Sequence, residues 1–477
     1  MASTPKVQHN AWPWCCLHCG APLVLVASSL DCTACARRYP VASGVPILVR
    51  DPDRYLHSER VALAQTLAQA RQSRANLERL VRSTGLPNAS LLRHRDVIDA
   101  EIARTVTLLG LLDGAGVTPA ADNAPTLYRQ PTGWTADALL PYLLRDWTDT
   151  PELEAISARI GAALTRAFPE PSAVSVVFAA CGAAGVLAQI DSAFTRVLGF
   201  DLTLPVLLAA RRLLDGGQLE LVLPHCISSV GRVTLKRPDR PAVRRSIDLA
   251  AMDVFDTGFL AGSIDCIVTS FLIDLIPDPR QLAREIYRIL RSDGVWINYG
   301  PSGPLKALWR FDGAETRDFL EEFGFTVTTS EAYRTTYMDV SRDCPAWSFQ
   351  NHICYLTCAR KSGEVKTRAM SAGEPDAASL SAAVPQHLPG AQLIERRSFG
   401  PEAKRTMVLR HEGIPGRPQS IGVGNEAPRI LALVDGRTTV GEIADRIARE
   451  QPSQPVEETL RAFAYYFSQG LLTWRSP

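Results

Sequence analysis

No run in this chain is both long and apolar enough to cross a bilayer, which takes about twenty consecutive apolar residues. The opening residues, MASTPKVQHNAWPWCC, lack the basic segment and apolar core of a secretory signal. Neither charge sign is in excess. The 51 Lys and Arg against 50 Asp and Glu leave a net +1, so no global field draws the chain to nucleic acid or membrane. A disulfide framework is missing as well: the cysteines number 11, an odd count, and most are scattered through apolar segments such as 264-IDCIV-268. That usage fits a reducing cytoplasm, which is the location expected here. No internal repeat or low-complexity tract occurs. What remains is an ordinary globular composition, 46% hydrophobic and 21% charged, in a chain of 477 residues. That length exceeds one compact core and suggests about three domains.

Four of the cysteines stand apart. Residues 16–35 carry C-L-H-C, a short strand-like stretch, then C-T-A-C. Two CxxC knuckles this close can place Cys16, Cys19, Cys32 and Cys35 tetrahedrally around one Zn²⁺. The metal would be structural, because four thiolates leave no open coordination position. Cys15 and His18 are alternative ligands, but the second knuckle makes Cys16 and Cys19 the better first pair. The segment that follows, 36-ARRYPVASGVPILVR-50, resembles the zinc-ribbon family of small methyltransferase activator proteins, so a zinc ribbon is expected over 1–50.

Residues 51–136 read as a helical extension, with helical periodicity over Glu59–Val81 and Ala100–Leu112 and a loop-like 117-VTPAADNAPT-126. From 137 to 361 strand and helix alternate, which predicts a doubly wound α/β domain. Residues 362–390 are rich in Ser, Ala, Gly and Glu and read as a linker. Residues 391–477 resume order, with a β-like stretch and then helices.

Within the α/β domain, strand 174-VSVVFAA-180 runs into Cys181-Gly182-Ala183-Ala184-Gly185 and a helix. A small-residue turn of this kind lets a cofactor approach the backbone, which makes Gly182 a contact. The next strand ends at 199-GFDLT-203, where Asp201 suits ribose hydroxyls; Thr203, before Leu204-Pro205, is the better helix cap. Asp253 ends a third strand, and 264-IDCIVTSFLID-274 supplies a fourth, followed by a helix capped at Asp278-Pro279. The succession of strand ends resembles the class I S-adenosylmethionine-dependent methyltransferases, a Rossmann-like fold. The resemblance implies S-adenosylmethionine as cofactor, with Asp201 on its ribose and Asp253 on its adenine. The first turn departs from the family, since two glycine positions hold alanine; binding is compatible with alanine there if φ stays negative.

Five pieces in order, 144-LRDW-147, 224-PHCIS-228, 267-IVTSFLID-274, 293-DGVWINYGP-301 and Thr336-Tyr337, resemble the carnosine N-methyltransferase-like family. The likeness implies that Arg145 holds the cofactor carboxylate and that Ser270 borders the cofactor. It places Asn298, Tyr299, Tyr337 and His352 at the acceptor and makes Asp274 its catalytic aspartate. That family also has a histidine after its Gly-Pro, and 300-GPSGPLKALW-309 has none; His352 is expected to replace part of the contact. Chemically, an imidazole nitrogen attacks only as the neutral tautomer with its other nitrogen protonated. A carboxylate accepting that second N–H selects the tautomer and stabilises the developing positive charge.

Residues 427–475, through Ile430-Leu431, Asp435-Gly436, Thr439-Val440, Glu442-Ile443 and Gly470-Leu471-Leu472, resemble PqqD-like winged-helix domains. Those domains bind leader peptides in ribosomal peptide modification, here by strand addition. A plain structural winged helix explains the pattern equally well, and no basic recognition helix argues for nucleic acid. The expectation is therefore an N-methyltransferase acting on a side chain, such as histidine, of a bound leader peptide. The runner-up is methylation of a small imidazole or amine metabolite. An interaction scaffold with a degenerate core is the reading from another class.

Overall fold

The structure, a computed structural model, describes residues 12–84, 89–117, 140–148, 150–190, 193–194, 196–226, 229–237, 247–276, 279–301, 313–337, 350–363, 380–387, 392–397, 405–411, 419–423, 427–451, 456–468 and 472–475. It falls into two compact units. The first comprises Met1–Leu272, Glu285–Pro301 and Phe325–Gly363, and the second Ile273–Arg284, Ser302–Gly324 and Glu364–Pro477.

The first unit opens with four short strands, β1 (Leu23–Val26), β2 (Ser29–Cys32), β3 (Arg38–Ala42) and β4 (Val45–Leu48), paired antiparallel in sequence order. The helices α1 (Pro52–Thr84) and α2 (Ala89–Gly114) lie where sequence periodicity predicts helix, and Arg74 of α1 pairs with Asp99 of α2 at 2.7 Å. Then come α3 (Leu140–Trp147) and α4 (Pro151–Ala167). The start of α4 is written locally. The Thr150 hydroxyl accepts the Leu153 N–H, Pro151 opens the first turn, and Glu152 and Glu154 face the positive end of the helix dipole. Leu153, Ile156, Ile160 and Leu164 recur at helical spacing and are buried.

The doubly wound core follows with β5 (Ser175–Ala179), α5 (Gly185–Gln189), β6 (Arg196–Asp201) and α6 (Leu204–Leu214). A hairpin of β7 (Gln218–Cys226) and β8 (Ser229–Lys236) is inserted before β9 (Ile247–Met252) and packs on α2. Next are β10 (Ile264–Ser270), α7 (Pro279–Ile289), β11 (Leu290–Gly300) and, after α8 (Gly313–Glu322), the strands β12 (Phe325–Tyr337) and β13 (Gln350–Lys361). The central sheet has the order β1-β2-β3-β4-β9-β6-β5-β10-β11-β13-β12. Counting only the seven core strands in chain order gives 3-2-1-4-5-7-6. The first five are mutually parallel, and the seventh, β13, runs antiparallel to both neighbours. Buried Val176, Phe178, Val197, Leu249 and Val268 show why: strands covered on both faces need unbroken apolar runs.

The four N-terminal strands extend this same sheet. β4 pairs parallel with β9, Ile47 opposite Ala251 and Leu48 opposite Met252. Trp14 stacks on Phe259 with ring centroids 5.0 Å apart, and the Trp12 indole donates to Asp248 at 2.7 Å. The Tyr55 hydroxyl donates to the Leu202 carbonyl at 2.7 Å.

In the second unit, β14 (Val384–His387) pairs with β18 (Leu472–Arg475) around the helices α9 (Ala427–Ala432), α10 (Val440–Glu450) and α11 (Val456–Ser468). Its core is Ile430, Ile443, Ile447, Phe463, Tyr466 and Leu472. Thr439 and Glu442 form a reciprocal capping box at the start of α10. A separate antiparallel sheet has the order β15 (Gln392–Arg397), β16 (Arg405–His411), β17 (Gln419–Val423). Most of the 362–390 stretch and the Gly470-Leu471 pair lie outside the described residues. Among the described residues no helix is long and apolar enough to cross a membrane.

Candidate cofactor and acceptor site

The turn after β5 takes a conformation that the sequence does not announce. Ala180, Gly182 and Ala184 all have positive φ, at 50°, 54° and 65°. The two alanines do not keep φ negative as expected; they hold the left-handed region that glycine would fill without strain. Gly182 faces open space, with nothing within 4 Å of where a Cβ would sit, so the turn leaves a backbone cradle. Its N–H donates to Asp201 Oδ2 at 3.0 Å, and the Thr203 N–H donates to Asp201 Oδ1 at 2.9 Å. Thr203 stands at the start of α6 but makes no side-chain cap. Asp201 takes its backbone N–H instead. Burial pushes the Asp201 carboxyl up from its ordinary range, against the pull of these two N–H groups.

Asp253, one residue past β9, accepts the Phe255 N–H at 2.9 Å, and burial lifts its carboxyl to about 6. The two acids thus end neighbouring parallel strands, with Asp201 in register with Ala251. Ser270 ends β10, in register with Tyr299. Arg145 is buried and forks onto Asp146, with Nε–Oδ1 at 2.8 Å and Nη2–Oδ1 at 2.7 Å. The second oxygen of Asp146 accepts the Gly185 N–H at 3.0 Å, and the Trp147 indole donates to the Ala183 carbonyl at 2.9 Å. The 144–147 segment is therefore stitched to the turn. Gly185 has no room to be anything else, since a Cβ there would lie 2.3 Å from Asp146 Cβ. Asp146 carried no assigned role in the sequence; its place beside Arg145 was the only cue.

Among the residues expected at the acceptor, successive positions of β11 part company, as strand alternation requires. Asn298 is buried and accepts the Thr269 hydroxyl at 2.8 Å, while Thr269 accepts the Trp296 indole N–H at 2.9 Å. Tyr299, fully buried, points to the other face. Its hydroxyl meets Thr335 Oγ1 at 2.6 Å and the guanidinium of Arg159, and its ring meets Phe271 edge-on at 5.8 Å. Gly300 has φ 158°, and a Cβ there would come within 3.1 Å of the Phe271 backbone nitrogen. The Gly-Pro corner thus permits the close approach of β11 to the residue after β10. Tyr337 and His352 pair across the hairpin with Gln350 and Thr335. The strands β12 and β13 run on past Gly300, whose partner is Tyr355, so both residues sit beyond the carboxyl end of β11. Their side chains lie outside the described residues, as does Asp278.

Asp274 belongs to the second unit, just beyond the end of β10 in the chain. It is only 5% exposed, and its Oδ1 has no hydrogen-bond partner among the described residues. Burial raises its carboxyl to about 7.

The four cysteines converge. Their sulfurs lie within 4.8 Å of one another, with Cys16–Cys35 at 3.6 Å and Cys19–Cys32 at 3.4 Å. Tetrahedral thiolates around Zn²⁺ are separated by about 3.8 Å, so the group is spaced to hold a metal ion. The N–H groups of His18, Ala34 and Cys35 point at Cys16 and Cys32 sulfurs at 3.4 Å, and the Tyr39 hydroxyl reaches Cys16 at 3.3 Å. Cys15 lies outside the group: its N–H donates to the Gly258 carbonyl at 2.8 Å.

The family described as "Methyltransferase domain" matches residues 178–297. No curated protein matches the chain. Among solved structures, magnesium protoporphyrin IX methyltransferase of Synechocystis is similar at 13% identity, over 50% of this chain and 100% of that one, with a TM-score of 0.34. A presumed methyltransferase of Bacillus halodurans is similar at 16% identity, over 42% of this chain and 100% of that one, with a TM-score of 0.30. The strand order, the antiparallel seventh strand and the family match define a class I methyltransferase-like core. That fold is one that binds S-adenosylmethionine.

Proposed function

We propose that the chain is an S-adenosylmethionine-dependent N-methyltransferase whose acceptor is an imidazole, such as a histidine side chain of a peptide held by the C-terminal region. The observation that carries this reading is Asp274: a buried carboxyl, lifted to about 7, with an oxygen that no described residue hydrogen-bonds. Such a group accepts an N–H well, because no described residue competes for that oxygen and burial strengthens the bond. By accepting the second imidazole N–H it would fix the neutral tautomer, leave the other nitrogen's lone pair free, and take up charge as methylation proceeds.

The cradle at Gly182 and the acids Asp201 and Asp253 fit the cofactor, which supplies an electrophilic methyl group on a sulfonium. Asp201 keeps lone pairs for ribose hydroxyls beyond the two it spends on backbone N–H groups, and Asp253 would meet the adenine. Arg145 would reach the cofactor carboxylate alongside its bond to Asp146. In this reading the four cysteines hold a structural Zn²⁺, and the C-terminal helices with their flanking strands form a PqqD-like winged-helix module. Peptide capture there would raise the acceptor's local concentration. A small imidazole or amine acceptor would use the same chemistry without that module.

The strained alanines at 180 and 184 favour a second reading, a scaffold whose core no longer binds the cofactor. Calorimetric titration with S-adenosylmethionine, with Asp201→Ala as control, separates the two. Micromolar binding that is lost in the control is expected. A folded, metal-loaded protein that gives no heat would overturn the enzyme reading.

A further inference from the structure

Arg159, half-buried on α4, does not carry the charge balance of the buried Arg145 or the exposed Arg166. Arg145 is paired with Asp146, and Arg166 on the same helix meets Glu331 at 3.3 Å. Arg159 has no carboxylate partner among the described residues. Its Nη1 donates to the Tyr299 hydroxyl and to Thr335 Oγ1, the latter at 3.1 Å. Its plane lies over the Tyr333 ring at 4.2 Å and near the Tyr299 ring at 5.8 Å. The aromatic faces and the two hydroxyls fix the guanidinium in one orientation. Its Nε and Nη2, which carry three N–H donors, meet no acceptor among the described residues.

A guanidinium held this way presents a flat, donor-rich edge, which is the geometry that recognises carboxylate or phosphate oxygens through two parallel bonds. Its place matters as much as its chemistry. Tyr299 is the penultimate residue of β11, and Thr335 pairs with His352 in the part of the hairpin that runs past Gly300. The donors therefore lie at the carboxyl ends of the fifth and sixth core strands and the amino end of the seventh, away from the Gly182–Asp201–Asp253 strand ends. Ligands in open α/β sheets bind outside the carboxyl ends of the strands.

We infer that Arg159, oriented by Tyr299, Thr335 and Tyr333, is an anion-recognition site for the methyl acceptor, and that the acceptor carries a carboxylate or phosphate. The assignment to the acceptor rests on the methyltransferase reading; the anion site itself does not. Thermal shift with inorganic phosphate, and separately with imidazol-4-ylacetate, is run on the full-length protein and on Arg159→Gln, alongside titration of both with S-adenosylmethionine. The wild type is expected to be stabilised by both anions, with half-saturation about ten- to a hundredfold higher in the variant, the loss of one charge-assisted contact. Cofactor affinity should be the same in both proteins. Equal anion responses in the two proteins would overturn the site. A loss of S-adenosylmethionine affinity on substitution would overturn its assignment to the acceptor. Silence toward S-adenosylmethionine in the wild type, with the anion response intact, would sink the methyltransferase reading alone. If Arg159→Gln does not fold, Arg159→Lys serves: it keeps the charge but not the fork, and it should still weaken both imidazol-4-ylacetate and phosphate. Undiminished binding of both anions by this variant would refute bidentate recognition.

Discussion

Replacing Asp274 with asparagine should stabilise the protein while disabling it, and the size of the gain should depend on pH. The carboxyl is raised from an ordinary 3.8 to about 7 by burial. Its folded-state pKa therefore lies above its unfolded value. The protonated form suits the folded state, and that advantage is lost as pH rises from about 4 through about 7. Above that window the native state carries an ionised, buried carboxylate, at a cost of about 4 kcal/mol for a shift of roughly three pH units. At about pH 5 the carboxyl is mostly protonated in the native state, and the cost is only about 2 kcal/mol. Asparagine has nearly the same shape and never ionises. Urea unfolding of the wild type and Asp274→Asn should thus show a gap in stability that widens by about 2–3 kcal/mol between pH 5 and pH 8. Methylation of an imidazole acceptor should fall at every pH. In the wild type it should rise through about pH 7, as the carboxylate needed to accept the acceptor's N–H appears. A stability gap that stays flat with pH would refute the burial-raised carboxyl. Full activity in the variant would refute its role.

Two further outcomes follow from contacts already described. Gly185→Ala should cost about 1–3 kcal/mol of stability, because its methyl would collide with Asp146 and push the 144–147 segment off the turn after β5; chemical denaturation reads the loss, and an unchanged midpoint would contradict the packing. A strong chelator should lower the melting temperature and weaken S-adenosylmethionine binding together, since β4 of the cysteine-bearing segment pairs with β9 directly before Asp253. Metal release measured by a zinc indicator without either change would show the ribbon to be independent of the core.

Much of the core was legible because its strands are short apolar runs ending in marked residues. The run 174–180 became β5, Asp201 closes β6, and 264–270 is β10. The cysteine spacing likewise announced four converging sulfurs. What sequence could not carry was anything set by a distant partner. The positive φ of Ala180 and Ala184 comes from the turn's fit between β5 and α5, not from alanine's own preference. The opposite facing of Asn298 and Tyr299 follows from alternation, but which face meets Arg159 depends on where α4 packs. Arg159 itself sits in an ordinary amphipathic helix with no motif around it. Only the fold shows that it has aromatic neighbours and, among the described residues, no acid partner.

The pairing of β4 with β9 also sets an order of events as the chain is made. The knuckles at 16–35 are local and can close on a metal as soon as those residues exist, since the loop entropy to be overcome is small. Val45–Leu48, all buried in the finished sheet, pair with β3 on one side, but their other edge has no partner until Ile247–Met252 is synthesised, some two hundred residues later. During that interval an apolar strand with one open edge stands exposed, the state most prone to wrong association. Early closure of the ribbon keeps that strand in register and tethered to a folded neighbour. The N-terminal cysteines thus bear on how the sheet is assembled as well as on how it is held.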